Sequence, residues 1–297
     1  MRKIFGFSFI LILVAFTLNA QKMSKIRISE ISLWQGIQVY NFQAMSDEVF
    51  NQLVPLVTLK PENIEEYSSS SFYWGTPLQS NYIGVSAGFR FLDGEKHQHR
   101  VNPTLNLGFI YGTTTLFASM YQKTEFTSLD TLSSLSSEEV IYKGLQTNSD
   151  YFRSYKYEQY GVNAELLYRY NPNGRWALIG GFGLKTLLSA NTQTTELFTQ
   201  NTYQVYKFGS GETFNYSWYD STSLSDQEVH QNKSNIHMLF SVPLGVDFRI
   251  AKKNLFWNKI HLWIDFQPGL NVLIIPEIDS MIFGRMFINF GIRVEIR

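Results

Sequence analysis

Between Ser241 and Ile250 the chain reads SVPLGVDFRI, with apolar Val242, Leu244, Val246, Phe248 and Ile250 alternating with Ser241, Pro243, Gly245, Asp247 and Arg249. A side-chain period of two predicts a strand with one oily and one polar face. The same alternation predicts seven further strands, near 30–40, 82–92, 104–113, 161–170, 176–187, 260–270 and 286–296. One short helix is also predicted, with Ser46 as N-cap, Asp47 and Glu48 in its first turn, then Phe50, Leu53 and Val54 before Pro55.

The connections alternate in length. Short ones lie at 93–99, 171–175 and 251–258; long ones at about 41–80, 119–160 and 189–234, with a brief fourth near 276–280. Transmembrane barrels have short turns on the periplasmic side and longer loops outside, and an even strand number returns both termini to the short-turn side. The expected fold class is all-β: a transmembrane antiparallel up-and-down barrel of eight strands with long extracellular loops.

In such a barrel the oily faces point outward to lipid and the polar faces inward. Nearly all strand glycines fall on the polar parity, among them Gly36, Gly84, Gly88, Gly108 and Gly112, with Gly180 the exception. A crowded lumen uses them, because a missing side chain makes room for a large one opposite. The same parity carries Glu30, Glu165, Asp247, Asp265 and Glu295 against Arg90, Arg169, Lys185, Arg249, Arg285 and Arg293. Charges so nearly balanced in a narrow interior predict a paired plug, since unpaired buried charge is costly. Glu30 with Arg90 or Arg293, and Arg249 with Asp265, are the expected pairs. On the oily parity Phe89, Phe91, Tyr168, Tyr170, Trp176 and Phe248 fall at the short-turn end, where an aromatic girdle is expected.

Composition agrees. Charged residues make up 17 % of the chain, against 24 Phe and 17 Tyr, and ~25 % charged is usual for soluble domains. Net charge is zero, which argues against a nucleic-acid partner. Arg2 and Lys3, an apolar run over 4–18 and then Asn19, Ala20 and Gln21 predict a cleaved signal peptide of residues 1–20, leaving 21–297 as the barrel domain. The chain has no cysteine, which excludes lipid attachment through a thiol, disulfides and thiolate metal sites.

The signal-like start, SEISLWQGIQVYNF as opening strand, SVPLGVDFRI and the closing MFINFGIRVEIR resemble the small eight-stranded outer-membrane β-barrel proteins of Gram-negative bacteria, the outer membrane protein beta-barrel domain family. The resemblance covers the chain after residue 20. It implies location in the outer membrane, outer-membrane lipid as surroundings and the barrel-assembly machinery as a partner in biogenesis. One departure is the end of the chain, Ile296–Arg297, where such barrels usually carry an aromatic residue.

Candidate chemistry is sparse. His97 and His99 flank Gln98 in a short turn with no third ligand evident, so no metal site is expected. His237 with Ser241, and His261 with Asp265, share a face, but residues four apart on a strand are ~13 Å apart, too far for a hydrogen bond. No phosphate loop or nucleophile motif appears; neither cofactor nor enzymatic activity is expected. The leading role is surface recognition, adhesion or envelope structure, acting through the outer loops. Segments such as TFNYSWYDSTS, 213–223, mix aromatics with short polar residues and suit a glycan or protein ligand. The alternatives are a transporter of small hydrophobic molecules lined by Trp34, Leu167 and Leu239, a lipid-modifying enzyme, and a secreted soluble β-sandwich.

Overall fold

A computed structural model describes residues 26–39, 47–54, 59–70, 79–91, 101–133, 140–208, 213–215, 222–278 and 280–296. The predicted signal peptide and the turn holding His97 and His99 lie outside the described residues. In chain order the elements are β1 (Ile26–Val39), α1 (Asp47–Leu53), β2 (Ser68–Ser70), β3 (Gln79–Phe91), β4 (Val101–Ser133), β5 (Val140–Tyr170), β6 (Trp176–Phe208), β7 (Thr213–Asn215), β8 (Thr222–Gln231), β9 (Ile236–Ser241), β10 (Leu244–Arg249), β11 (Ile260–Ile274) and β12 (Met281–Glu295).

Eight staves close into a ring: β1, β3, β4, β5, β6, β9 with β10, β11 and β12, which pairs back on β1; all pairings are antiparallel. β9 and β10 are one stave broken at Val242 and Pro243, since proline has no N–H for the ladder. The register runs on across the break, with Ser241 opposite Gly269 and Leu244 opposite Phe266. Following partners from Glu295 through Glu30, Gly88, Asn106, Glu165, Gly183, Ser241 and Gly269 returns to β12 at Arg285, ten residues away (295 to 285). A shear of ten over eight strands tilts them by about 40° and leaves a lumen just wide enough for side chains.

The oily faces point outward. Leu33 is 59 % exposed, Phe182 67 % and Ile282 71 %, while Glu30, Lys185, Asp247 and Arg293 lie inside, at most 2 % exposed. An apolar surface on every stave has no place in water, and it excludes the soluble sandwich, whose oily faces would meet each other. On β5 the belt runs from Tyr160 to Tyr170. Ten residues at ~3.3 Å and a ~40° tilt give a band about 25 Å tall, the height of a transmembrane barrel's belt.

Glycine parity has a direct structural reason. A Cβ on Gly84 would sit 2.2 Å from the Trp34 ring, and one on Gly88 2.3 Å from Glu30 Cγ, whereas outward-facing Gly180 and Gly284 would meet nothing within 4 Å. Gly84→Ala is therefore expected to lower stability by about 1–3 kcal/mol through overpacking. Gly180→Ala should change it by less than about 0.5 kcal/mol, with urea unfolding in detergent as the measurement.

The expected long loops require a correction. Much of 119–160 and 189–234 is strand: β4, β5 and β6 stay paired far beyond the belt, out to Ser133 opposite Val140 and Ile141 opposite Phe208. β2 adds to β4, and β7 and β8 to β6. From Tyr160 back to Val140, β5 alone contributes ~65 Å of extended chain. Register shifts at Thr115/Phe117 on β4, and where Lys156/Glu158 on β5 meets Gln193/Ala190 on β6, lie at one height, the rim of the cylinder. Asn191 takes a φ of 50° there, a left-handed conformation asparagine tolerates. Bulges of this kind bend and re-aim a strand.

Candidate functional site: a filled lumen and a projecting sheet

The lumen is filled in tiers. At the short-turn end, strand parity and register gather ionisable side chains from six staves. The Arg169 guanidinium donates to both Glu30 oxygens, at 2.6 and 3.0 Å. That fork-on-fork geometry is among the stronger ion-pair arrangements. Arg293 donates to Glu30 at 2.8 Å, to Asp247 at 2.7 Å and to Glu295 at 3.2 Å. His261 Nδ1 lies 2.5 Å from Asp247. Arg249 and Arg90 face Glu295 at 3.7 and 3.9 Å. One level up, Lys185 Nζ meets Gln267 at 2.5 Å and Glu165 at 3.6 Å, while Asp265 accepts from Gln267 at 2.9 Å and Asn289 at 2.8 Å.

The structure thus places the predicted interior set, Glu30, Arg90, Glu165, Arg169, Asp247, Arg249, Asp265, Arg293 and Glu295, on the lumen side. It pairs Glu30 with Arg293 and adds Arg169. It does not join Arg249 to Asp265: the register sets Arg249 opposite His261 and Asp265 opposite Gly245, four residues or ~13 Å apart along the stave. His261 meets Asp247 rather than Asp265, and His237 meets Gln159 at 2.9 Å rather than Ser241.

Above the charges Trp34, Tyr82, Ile110, Leu187, Leu239 and Phe287 form an apolar tier with Trp263 against it. Lys185 lies over the Phe287 ring at 4.4 Å. The Tyr82 hydroxyl reaches Oε1 of both Gln38 and Gln159 at 2.8 Å. Of the three residues proposed to line a transport pocket, Trp34 and Leu239 are consumed by this packing. Leu167 and Trp34 border a cavity of about 10 Å³, roughly the space of one water.

The outer mouth is stopped by α1, the helix expected from its cap and acidic first turn. Phe50, Leu53 and Val54 pack with Leu116, Tyr155, Tyr157, Leu273 and Ile275. The Arg153 guanidinium covers the Phe50 ring at 4.4 Å, and Asn232 donates to the Leu53 carbonyl at 2.8 Å. Burial in this tier pushes the Tyr155 phenol up, opposed by the hydrogen bond it donates to Asn235.

At the short-turn end Tyr168, Tyr170 and Trp176 are exposed on the oily face. Trp176 packs against Phe248 with centroids 4.5 Å apart and the rings tilted by 48°, and Phe89 is half-buried. Phe91 ends its strand, and its side chain lies outside the described residues. Sequence reasoning missed Phe256 and Trp257, exposed in the turn after β10, because a turn carries no alternation. It also missed Tyr111 and Tyr160, paired across β4 and β5 at 5.1 Å, which rim the belt at its outer edge.

On the projecting sheet, hydroxyl and amide side chains form a ladder: Thr124 donates to Asn148 at 3.0 Å, Gln146 and Asn148 to the Tyr203 hydroxyl at 2.9 and 2.7 Å, and Gln122 to Asp150 at 3.0 Å. The ladder is carried by paired strands, exposed at Gln122 and Thr124 and part-buried at Asn148 and Tyr203.

No family model and no curated protein sequence matches the chain. Among solved structures it is similar to Ail, the attachment invasion locus protein of Yersinia pestis, at 10 % identity over 90 % of this chain and 99 % of that one, TM-score 0.22. It is also similar to OmpT, an outer membrane protein of Vibrio cholerae, at 7 % identity over 93 % and 99 %, TM-score 0.16. A third is the CymD monoaromatic hydrocarbon channel, at 10 % identity over 91 % and 89 %, TM-score 0.16. The closed ring and its outward apolar belt make this chain an outer-membrane-type β-barrel protein.

Proposed function

We propose that this protein is a surface-display barrel of the outer membrane: a sealed, lipid-embedded cylinder that holds a stiff sheet outside the cell for recognition or adhesion. One observation carries the reading. The lumen is closed by the charged tier and α1, while β4, β5 and β6 continue as a hydrogen-bonded sheet well above the belt. A pocket for a hydrophobic solute needs roughly 300–1,000 Å³, far more than the cavity of about 10 Å³ beside Trp34 and Leu167, so the packing of the described residues gives the transporter reading no support. The role assigned is binding rather than catalysis. The ligand class that suits the Tyr203, Gln146 and Asn148 ladder is a glycan or a polar protein surface, which hydroxyl and amide groups recognise by hydrogen bonding. Export by a cleaved signal and insertion by the barrel-assembly machinery belong to the same reading.

The test is to trim the β4–β5 hairpin between Lys123 and Ser149, which face each other in register, and join them by a two-residue turn. The trimmed barrel is expected to keep its heat-modifiable gel migration and lose the binding of the full protein on a glycan and surface-protein array. Retention of full binding would overturn the proposal, as would steady solute conductance by the untrimmed barrel.

A further inference from the structure

We propose that Glu196, Glu228 and His230 form a binding site for a divalent transition-metal ion of the zinc class on the projecting sheet, outside the membrane. One ligand atom from each lies within 4.8 Å of the other two. Glu196 on β6 and Glu228 on β8 are direct cross-strand partners, and His230 is two residues farther along β8, opposite Thr194. All three side chains therefore stand on one face.

Two carboxylates placed directly opposite each other repel, and here one of them is out of water. Glu196 is 0 % exposed; one oxygen accepts from the Tyr151 hydroxyl, and the other, Oε2, has no hydrogen-bond partner. That oxygen faces His230 Nε2 at 3.8 Å, and the same nitrogen lies 3.4 Å from Glu228 Oε2 without hydrogen-bond geometry to either. A buried carboxylate oxygen without a donor is costly, and a cation among the three groups removes both the cost and the repulsion.

The donor set fixes the class of cation. Zinc bonds of ~2.0–2.1 Å in a tetrahedron put neighbouring ligand atoms about 3.3 Å apart. The His230–Glu228 separation of 3.4 Å already fits, while the 3.8 Å from His230 to Glu196 and the Glu196–Glu228 separation, within 4.8 Å, close by side-chain movement. One imidazole and two carboxylates suit zinc and its neighbours, whereas calcium takes six to eight oxygens. Three protein ligands leave a fourth position open to water or to a group on a bound partner. Tyr151, donating to the far oxygen of Glu196, holds the carboxylate in place, the kind of outer support metal ligands commonly have. The expected effect is to staple β8 to β6.

The measurement is equilibrium dialysis of the folded, detergent-solubilised full chain against zinc chloride, with excess calcium present. One zinc per chain is expected. Glu196→Gln and His230→Ala should each weaken it at least roughly tenfold, by the scale set by outer-shell losses. Should Glu196→Gln fail to fold, Glu228→Gln, on the half-exposed side of the cluster, takes its place with the same expectation. A variant lacking both His97 and His99 should bind as the parent does. Loss of binding in that variant, parental affinity in the Glu196, Glu228 or His230 variants, displacement of zinc by calcium, or no zinc bound at all would each overturn the assignment.

Discussion

Arg293→Met is expected to destabilise the barrel by about 3–5 kcal/mol, the scale of breaking a buried ion pair from one side. The reason is geometric. Arg293 on β12 is held at hydrogen-bond distance by Glu30, Asp247 and Glu295, and its removal leaves three carboxylates in a lumen with little water to take its place. The effect should fall when the partner goes too. Glu30→Gln with Arg293→Met is expected to be less destabilised than the sum of the single variants, because each removal relieves part of the other's unpaired charge. Reversible urea unfolding in phospholipid vesicles gives the energies. Equal stability of Arg293→Met and the parent would mean that the tier is solvated and its pairing adds nothing.

The second large effect concerns the opposite parity. Phe182 stands mid-belt on β6, 67 % exposed and opposite Leu166 on β5. Phe182→Arg is expected to cost about 2–4 kcal/mol, the price of an arginine at the bilayer midplane of a barrel. Thr127→Arg, exposed on the projecting part of β4, should change stability by no more than about 0.5 kcal/mol. The contrast is read in the same vesicle assay. A Phe182→Arg barrel as stable as the Thr127→Arg one would place that face in water and remove the membrane from the account.

The staves were legible in the sequence because lipid outside and a packed lumen inside impose opposite chemistry on adjacent residues. Val85 and Ser86, or Phe290 and Gly291, alternate for that reason alone. The projecting strands were not legible, for the complementary reason. Around Thr124, Asn148 and Asn201 polar residues occupy both parities, among them Lys123, Ser149 and Thr202, so no oily side stands out and the segments read as loop. Pairings inside the lumen depended on register across distant strands. Glu30 meets Arg169 across 139 positions of sequence, a contact no local pattern announces. Helix α1 was legible from its cap and its apolar spacing, but its seating under Arg153 was not. Glu196 and His230 passed unnoticed because they fell in a stretch taken for loop, where a shared strand face could not be assumed.

The bulges at the rim have a mechanical consequence. Because the register shifts between β4 and β5 and between β5 and β6 fall at one level, a load applied to the tip of the sheet is expected to be taken up first as bending at that joint. Below that level the β4–β5 and β5–β6 ladders run through the belt without a further register shift, so the pairing within the hydrocarbon is the more continuous part.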